Sequence, residues 1–289
     1  MDFAFLPEWH AFLPREPGHV VALCGSGGKS TLLGAIADVW AAEGLPVVAT
    51  TTTRTEPLAG FVADAGDGAA AATGAAGARL FRHGGVRPDG KWAGLPAAEV
   101  DGLGDALPGR RVVVEVDGAA KLPFKYYRAG EPVWPARTSL ALVVMGVGGI
   151  GERAGAVVHR LGRPGVLDPV GVGADEVWQW DHALALLTAT GGYLDHVPAG
   201  VPAVLALCGL EEQPDSVGLF DFTARAMADP RLPLVLFCHR DERGLSLRAA
   251  CRREAGDDDD GDGGGPDDGA CDGACDGGDG GDGDGGGAA

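Results

Sequence analysis

The chain has 289 residues, of which 45% are hydrophobic, and its formal net charge at pH 7 is −18. Residues 255–289 contain twelve aspartates and neither lysine nor arginine, which leaves a net charge of only −6 for residues 1–254. No cluster of basic and aromatic residues, no bilayer-length apolar run and no basic leader is present, so nucleic-acid binding, membrane insertion and export are disfavoured. We expect a cytoplasmic protein with a folded body over residues 1–254 and a disordered Gly/Asp-rich tail over residues 255–289.

The first predicted elements are a strand and a helix joined by a glycine-rich turn. Residues 20–31 read VVALCGSGGKST, in which a β-branched run breaks into the shortened phosphate-loop pattern G-x-x-G-K-S. In such a loop, backbone N–H groups surround a phosphate, a lysine (here Lys29) balances its charge and a serine (here Ser30) ligates Mg²⁺. The full pattern has a glycine where this chain has Leu23. The predicted nucleotide-binding residues are Gly25, Ser26, Gly27, Gly28, Lys29, Ser30 and Thr31.

The next elements supply the context that such a loop requires. Apolar residues recur at helical spacing over residues 32–40, and a second strand follows over residues 46–53. Four threonines, Thr50–Thr53, lie at the end of that strand, at the same edge of the sheet as the loop. We predict that Thr51, Thr52 and Thr53 contact the nucleotide, its metal or a second substrate; the alternative is that threonine is there because it suits strands.

Three weaker patterns follow along the chain. Residues 63–78 are rich in alanine and glycine and indicate no particular element. Residues 80–82 and 86–92 are typical of a hairpin, with its turn at Pro88-Asp89-Gly90. Residues 96–103 are predicted as a short helix.

A strong strand prediction, Arg111–Gly118, ends in acidic residues. Glu115 and Asp117 are two residues apart, so their side chains are expected on the same face. A carboxylate beside a phosphate loop can hold Mg²⁺, and a glutamate inside an apolar strand is costly without a cation or a metal. We therefore predict Asp117 as a metal ligand beside Ser30, and Glu115 as a catalytic or acceptor-positioning residue. The alternative is that Asp117-Gly118 merely closes the strand with a turn.

The remaining pattern predicts the fold class. Further strands are expected at residues 140–147, 201–207 and 234–237, with helices at about residues 174–190 and 221–228. Strands that alternate with helices are typical of an α/β protein with a mostly parallel, doubly wound sheet. Together with the loop, this predicts one P-loop NTPase-like nucleotide-binding domain over residues 1–254.

Six cysteines are present, and three of them, Cys24, Cys208 and Cys238, lie in or beside apolar runs. We interpret these as reduced, buried cysteines of an intracellular protein. Cys24 lies within the loop, where a helix N-terminus and a nearby lysine would lower the pKa of its thiol. Cys271 and Cys275 in the tail lack a second pair of ligands, so a zinc site there is disfavoured.

The three motifs taken together resemble the YqeC family. They are GSGGKST, then VVATTTTR, then VVVEVDGAA, and the similarity continues through Lys125, residues 131–133 and residues 158–160. The resemblance covers roughly residues 15–240. It implies a nucleotide-binding accessory factor that matures selenium-dependent molybdenum hydroxylases, with ATP or GTP and Mg²⁺ as ligands and a molybdenum hydroxylase as client protein.

The resemblance also assigns residues after the acidic strand. It places a basic position at Lys125 and a His-Arg pair at His159 and Arg160, where Arg160 would stabilise charge on a transferring phosphoryl group. An exposed loop pair without a catalytic role is the alternative for that pair. Relatives commonly carry an asparagine after a late strand, where this chain has Leu207-Cys208-Gly209-Leu210-Glu211. ATP is therefore at least as good a candidate ligand as GTP.

Three functions stay open on the sequence. The first is Mg²⁺-dependent NTP hydrolysis, or phosphoryl or nucleotidyl transfer, in the service of a molybdenum hydroxylase, with Lys29, Glu115, Asp117 and Arg160 as catalytic residues. The second is a small-molecule kinase or ATP-dependent ligase unrelated to selenium. The third is a nucleotide-sensing adaptor that does not hydrolyse its ligand.

Overall fold

This computed structural model describes residues 3–5, 12–66, 78–213, 215–242 and 244–253. Within these ranges the chain forms fourteen strands and six α-helices, which loops and short 3-10 turns connect. The strands are β1 (Phe3–Phe5), β2 (Val20–Ser26), β3 (Val47–Thr51), β4 (Arg54–Thr55), β5 (Val62–Asp64), β6 (Arg79–Arg82), β7 (Trp92–Ala93), β8 (Arg111–Glu115), β9 (Phe124–Lys125), β10 (Thr138–Gly146), β11 (Val158–His159), β12 (Ala203–Cys208), β13 (Leu234–Asp241) and β14 (Gly244–Arg253). The helices are α1 (Lys29–Ala42), α2 (Ala97–Asp101), α3 (Leu103–Ala106), α4 (Ala154–Val157), α5 (Trp180–Thr188) and α6 (Ser216–Met227).

Ten of these strands form one sheet in the order β5-β6-β3-β8-β2-β10-β12-β13-β14-β1. All neighbours from β5 to β13 are parallel, whereas β14 is antiparallel to both β13 and β1. The chain leaves β2 toward β3 and β8 on one side and later crosses to β10 on its other side. The carboxyl end of β2 is therefore a topological switch point, where α/β sheets bind ligands.

Apolar side chains cover both faces of the sheet. On one face, Leu32, Leu33 and Ile36 of α1 are buried against the sheet, and Trp40 packs in the same cluster. On the other face, Phe124, Trp178 and Tyr193 belong to a second buried cluster. Burying one such large side chain stabilises the fold by about 1.5–3 kcal/mol, so α1 is held firmly and fixes the turn that precedes it.

The strands predicted around the loop are confirmed, with ends that shift by a few residues. The helix predicted over 174–190 is shorter, since α5 begins at Trp180, and the short helix near residue 96 is confirmed as α2. The hairpin prediction is wrong: Leu80 and Phe81 are fully buried, and β6 runs parallel to β3 and β5. The predicted turn at residues 88–90 does occur, inside a smaller antiparallel bridge between Val86 and Trp92.

The protein is thus an α/β protein with a large, mostly parallel sheet and few helices. No helix in the described ranges is long and apolar enough to cross a membrane. The predicted tail, with Cys271 and Cys275, lies outside the described residues, as do residues 67–77 of the Ala/Gly-rich segment.

Candidate functional site

The glycine-rich turn at the end of β2 has a backbone that only glycine adopts easily. Gly25, Gly27 and Gly28 have φ values of 89°, 80° and 126°. A Cβ atom on Gly25 would lie 2.2 Å from the Val144 carbonyl oxygen, and one on Gly28 would lie 2.9 Å from the Cys208 Cβ. The loop is therefore pressed against the ends of β10 and β12, and its shape is fixed.

The helix that follows presents a free N-terminus. Its N-cap is Gly28, no side chain caps it, and its first turn contains no acidic residue. The first N–H groups of an α-helix lack partners within the helix and carry the positive end of its dipole. The end of α1 is therefore suited to an anion.

Lys29 is almost entirely buried, with 3% of its side chain exposed. Its ammonium donates a hydrogen bond to the Gly25 carbonyl oxygen at 2.6 Å and lies 2.9 Å from Asp117 Oδ1 and 3.7 Å from Glu115 Oε1. Burial alone would lower the pKa of Lys29, but the two carboxylates outweigh burial and hold it above its ordinary value. The lysine is thus a permanent cation folded back under its own loop.

Asp117 lies beneath the loop and has no exposed surface. One of its carboxylate oxygens accepts a hydrogen bond from the Gly25 N–H at 2.9 Å and lies 3.3 Å from Lys125 Nζ. The Tyr127 hydroxyl oxygen accepts from the same N–H at 3.0 Å, and burial and Asp117 hold the pKa of Tyr127 well above its ordinary value. Asp117 therefore anchors the loop backbone between two lysines.

Glu115, the last residue of β8, is the carboxylate that contacts Ser30. The Ser30 hydroxyl donates a hydrogen bond to Glu115 Oε2 at 2.9 Å. Burial raises the pKa of Glu115 above its ordinary value, although Lys29 and Ser30 oppose this. A serine hydroxyl beside a carboxylate is a donor set that suits Mg²⁺, which commonly takes one or two protein oxygens together with water and phosphate.

The three threonines assigned to ligand binding differ in their surroundings. The Thr51 hydroxyl donates to the Glu115 carbonyl oxygen at 2.9 Å, and the Thr53 N–H donates to the Thr51 hydroxyl oxygen at 3.1 Å. The first bond ties the end of β3 to the end of β8, and the second closes a turn directly after β3. The Thr53 hydroxyl contacts the Thr51 hydroxyl at 3.2 Å, whereas the Thr52 hydroxyl oxygen is buried without a hydrogen-bond partner. Thr52 is therefore the one of the three whose hydroxyl is unpaired. Thr50 is turned elsewhere, since its hydroxyl donates to the Arg82 carbonyl oxygen at 2.7 Å.

A second set of charges continues the site away from the loop. Lys125, which has no exposed surface, lies 3.4 Å from Glu131 Oε2 and donates to the Gly118 carbonyl oxygen at 2.7 Å. Both guanidinium NH groups of Arg160 contact Glu131. Burial, followed by Arg160, lowers the pKa of His159. Lys29, Asp117, Lys125, Glu131 and Arg160 thus form one continuous chain of ion pairs, which we call the charge chain.

The cysteines in the described part of the chain and the residues at positions 125–127 are more deeply buried than a surface loop would be. Cys24 is fully buried, and burial together with Asp117 raises the pKa of its thiol to about 12, so the predicted lowering is wrong. Cys208 and Cys238 are buried as predicted. Lys125, Tyr126 and Tyr127, a run that a sequence also places in solvated loops, are buried in the interior.

Sequence reasoning missed Glu131 as a partner of Arg160 and Tyr127 as a partner of the loop. No local pattern marks either residue, because the contacts arise from the short parallel pair β9–β11, which sets Lys125 opposite His159. Among the described residues no three His, Cys, Asp or Glu side chains form a metal-binding group. Any metal held here would therefore need ligands other than such a cluster.

The chain is similar to a known protein family. A family model described as "YqeC protein" matches residues 21–162. No curated protein and no solved structure matches the chain. The matched segment begins in the strand that carries the loop and ends just after Arg160, so it contains every residue of the charge chain. The chain belongs to the YqeC family.

Proposed function

We propose that this protein binds a magnesium-bound nucleoside triphosphate, ATP or GTP, at residues 25–31. The observation that carries the proposal is the combination of a buried, permanently charged Lys29 with an uncapped helix N-terminus and the Ser30–Glu115 pair. Each part serves a different feature of the ligand: the lysine and the helix end bind phosphate, and the serine and the glutamate bind the metal. Glu115 thereby takes the metal role that the sequence assigned to Asp117.

Binding requires Lys29 to exchange partners. Its ammonium now contacts Gly25 O and Asp117, and a phosphate at the helix end would draw it away from both. A buried carboxylate that loses its only cation is strongly disfavoured. Asp117 keeps Lys125 at 3.3 Å and the Gly25 N–H, so the exchange leaves it charged and paired. Because Lys125 stays beside Asp117, the site can bind an anion without leaving the Asp117 carboxylate unpaired.

We propose that the bound triphosphate is hydrolysed, or that its phosphoryl or nucleotidyl group is transferred to an acceptor. Lys29 would balance the charge that develops on the phosphoryl oxygens, and the Thr52 hydroxyl would contact the water or acceptor. Arg160 is engaged by Glu131 in a bidentate pair, so a direct catalytic role would require that pair to open. We assign Arg160 a positioning role through Glu131 and Lys125.

Family membership extends the proposal to a cellular role. The YqeC resemblance implies an accessory factor for the maturation of a selenium-dependent molybdenum hydroxylase, and the family match over residues 21–162 supports it. We propose that nucleotide binding or turnover at this site drives that maturation, with the hydroxylase as client protein.

The first experiment is calorimetric binding of ATP and GTP with Mg²⁺ to the wild type, Lys29→Ala and Ser30→Ala. We expect at least tenfold weaker binding for both variants. Lys91→Ala is the matched control, because it removes a lysine from a surface turn. Equal affinity in all four proteins would refute the proposed site. A circular dichroism spectrum and a melting curve for each variant ensure that lost binding is not lost folding.

Turnover separates the three candidate functions. Phosphate release that depends on Lys29 supports an NTPase, and release that requires an added small molecule supports a kinase or ligase. Nucleotide binding without turnover, with or without the client hydroxylase, supports the adaptor. Stimulation by a selenium-dependent molybdenum hydroxylase, absent with an unrelated protein of similar charge, would tie the activity to maturation.

A further inference from the structure

A cleft runs from the phosphate loop along the outer face of α1. It has a volume of about 360 Å³ and is lined by Ser30, Thr31, Gly34, Ala35, Asp38, Val39, Leu58, Ala59, Phe61 and Leu245. Small-molecule sites in proteins usually occupy about 300–1,000 Å³. The cleft is therefore large enough for a ligand, and Ser30 and Thr31 belong to the cleft and to the loop at once.

The floor of the cleft is a row of small or polar residues on one side of the helix. Thr31, Gly34, Ala35 and Asp38 are spaced i, i+3, i+4 and i+7, so they share a face, opposite the buried Leu32, Leu33 and Ile36. The row spans about 10 Å at 1.5 Å per residue, which is close to the length of a base with its ribose. A Cβ atom added to Gly34 would meet no atom within 4 Å, so the space above it is open.

The walls are apolar and held in place. Leu58, Phe61 and Leu245 pack against the core cluster that contains α1. The Phe61 ring makes an edge-on contact with Phe81 at 6.0 Å, and the Arg79 guanidinium lies 5.4 Å from its centroid. Flat aromatic and branched aliphatic walls suit the faces of a heterocycle.

The far end of the cleft is polar. Asp38 lines it and forms an ion pair with Arg79, and most of its carboxylate is exposed. A carboxylate accepts hydrogen bonds and donates none, so it favours a ligand edge that bears N–H groups, such as the exocyclic or ring N–H groups of a purine. Along its length the cleft thus offers the loop residues Ser30 and Thr31 at one end, apolar walls in the middle and the hydrogen-bond acceptor Asp38 at the other end.

We infer that this cleft is the nucleoside site, which holds the base and ribose of a purine nucleotide while its phosphates lie at residues 25–31. The inference rests on the proposed nucleotide binding and adds to it the part of the ligand that the loop does not recognise. It also places a binding role on Leu58 and Phe61, which follow the threonine run, and on Leu245, which lies outside the segment matched by the family model.

The test blocks the cleft without touching the loop. Gly34→Leu fills the open space above the helix and replaces a helix-disfavouring residue, so the fold is expected to survive. Ala42→Leu is the control, because it adds a leucine to an exposed position of the same helix outside the cleft. Each protein is titrated with Mg²⁺-ATP, Mg²⁺-GTP and Mg²⁺-tripolyphosphate, the last of which carries phosphates and no nucleoside.

We expect Gly34→Leu to bind ATP and GTP at least tenfold more weakly than the wild type and tripolyphosphate within twofold. Unchanged nucleotide affinity in Gly34→Leu would overturn the nucleoside site, and Lys29-dependent tripolyphosphate binding would then leave the proposed function standing. If the wild type binds neither nucleotide nor tripolyphosphate, both proposals fail. Hydrogen exchange gives a second measurement: amides of residues 58–61 should slow with nucleotide but not with tripolyphosphate, and equal slowing would contradict the inference.

Discussion

Asp117 and Lys125 form the buried centre of the charge chain, and their coupling can be measured. The cluster has three buried carboxylates, Glu115, Asp117 and Glu131, balanced by the largely buried cations Lys29, Lys125 and Arg160. A fourth cation, Arg128, contacts Glu131 at 2.9 Å from the surface, where solvent screens its charge. Asp117→Asn keeps an oxygen for the Gly25 N–H but leaves one excess positive charge. Lys125→Met leaves one excess negative charge, and the double variant restores balance.

The expected loss in the free energy of unfolding depends on which buried charges each substitution leaves without a partner. Removal of one partner of a buried ion pair typically destabilises a protein by about 3–5 kcal/mol. After either single change the separated charges keep a second partner: Lys29 retains Glu115 at 3.7 Å, and Glu131 retains Arg160. We therefore expect the lower value, about 3 kcal/mol for each single variant. The double variant leaves no buried charge unpaired. Its loss of unfolding free energy should therefore be smaller than the sum of the two single-variant losses, with a coupling energy of about 2 kcal/mol.

The assay is urea unfolding followed by tryptophan fluorescence. Trp40 and Trp178 lie in the cores on opposite faces of the sheet, so the signal reports both. With an m-value of about 3 kcal/mol/M, a loss of 3 kcal/mol lowers the midpoint by about 1 M. Strictly additive single-variant losses, or singles that unfold within about 0.2 M of the wild type, would refute the view that the two residues form a balanced buried pair.

Two further predictions test the loop and the outer end of the charge chain. Gly28→Ala should lose about 1–3 kcal/mol of stability and bind nucleotide more weakly, because its φ is 126° and its new Cβ would press on Cys208. Gly34→Ala, in the helix with open space around it, should instead gain up to about 1 kcal/mol in the same unfolding assay; a loss in Gly34→Ala as large as that in Gly28→Ala would contradict this explanation. For Glu131, burial would raise the pKa, but Arg160 and Lys125 outweigh burial and hold it below its ordinary value. A depressed carboxyl pKa contributes stability that is present above pH of about 4.5 and is lost as the pH falls further through the folded-state pKa. The stability difference between the wild type and Glu131→Gln, measured by urea unfolding, should therefore shrink below pH of about 4.5, and a constant difference from pH 7 to pH 3 would show that Glu131 acts otherwise.

The parallel half of the fold could be predicted because its signals are local. Strand β2, the glycine turn and α1 each follow from consecutive residues: a β-branched run, glycines with positive φ and apolar residues at helical spacing. Strand β14 begins with an alternating pattern, because the apolar Leu245 and Leu247 flank the polar Ser246. The alternation stops where the pairing of β14 with β13 shifts register, so the pattern is too short to predict the whole strand. The strand β6 was assigned to a hairpin because a turn follows it, whereas its burial on both faces depends on β3 and β5.

Interactions between distant segments could not be predicted in this way. Lys125 reaches Glu131 and Asp117 only because β9 pairs with β11 and the chain then turns back toward β8. The sequence shows a lysine beside two tyrosines, which is equally typical of a surface loop. Burial distinguishes the two cases, and burial here is produced by the cluster that contains Phe124, Trp178 and Tyr193, residues spread over 70 positions.

Glu115 and Asp117 lie on the same side of the site but have different further partners. Both were expected on one face because they are two residues apart, and both carboxylates do contact Lys29, although β8 itself ends at Glu115. Glu115 is the last residue of β8, opposite Leu23 and Thr51, and its side chain reaches Ser30 at the edge of the sheet. Asp117, one residue beyond Val116, turns under the loop, where the Gly25 N–H and two lysines hold it. A carboxylate in that position is neutralised and enclosed before any metal arrives, whereas Glu115 still faces a hydroxyl that Mg²⁺ can share. Under the proposed function, the acidic residue inside the strand is therefore the better candidate for a metal ligand, and the one outside it holds the glycine-rich loop in shape.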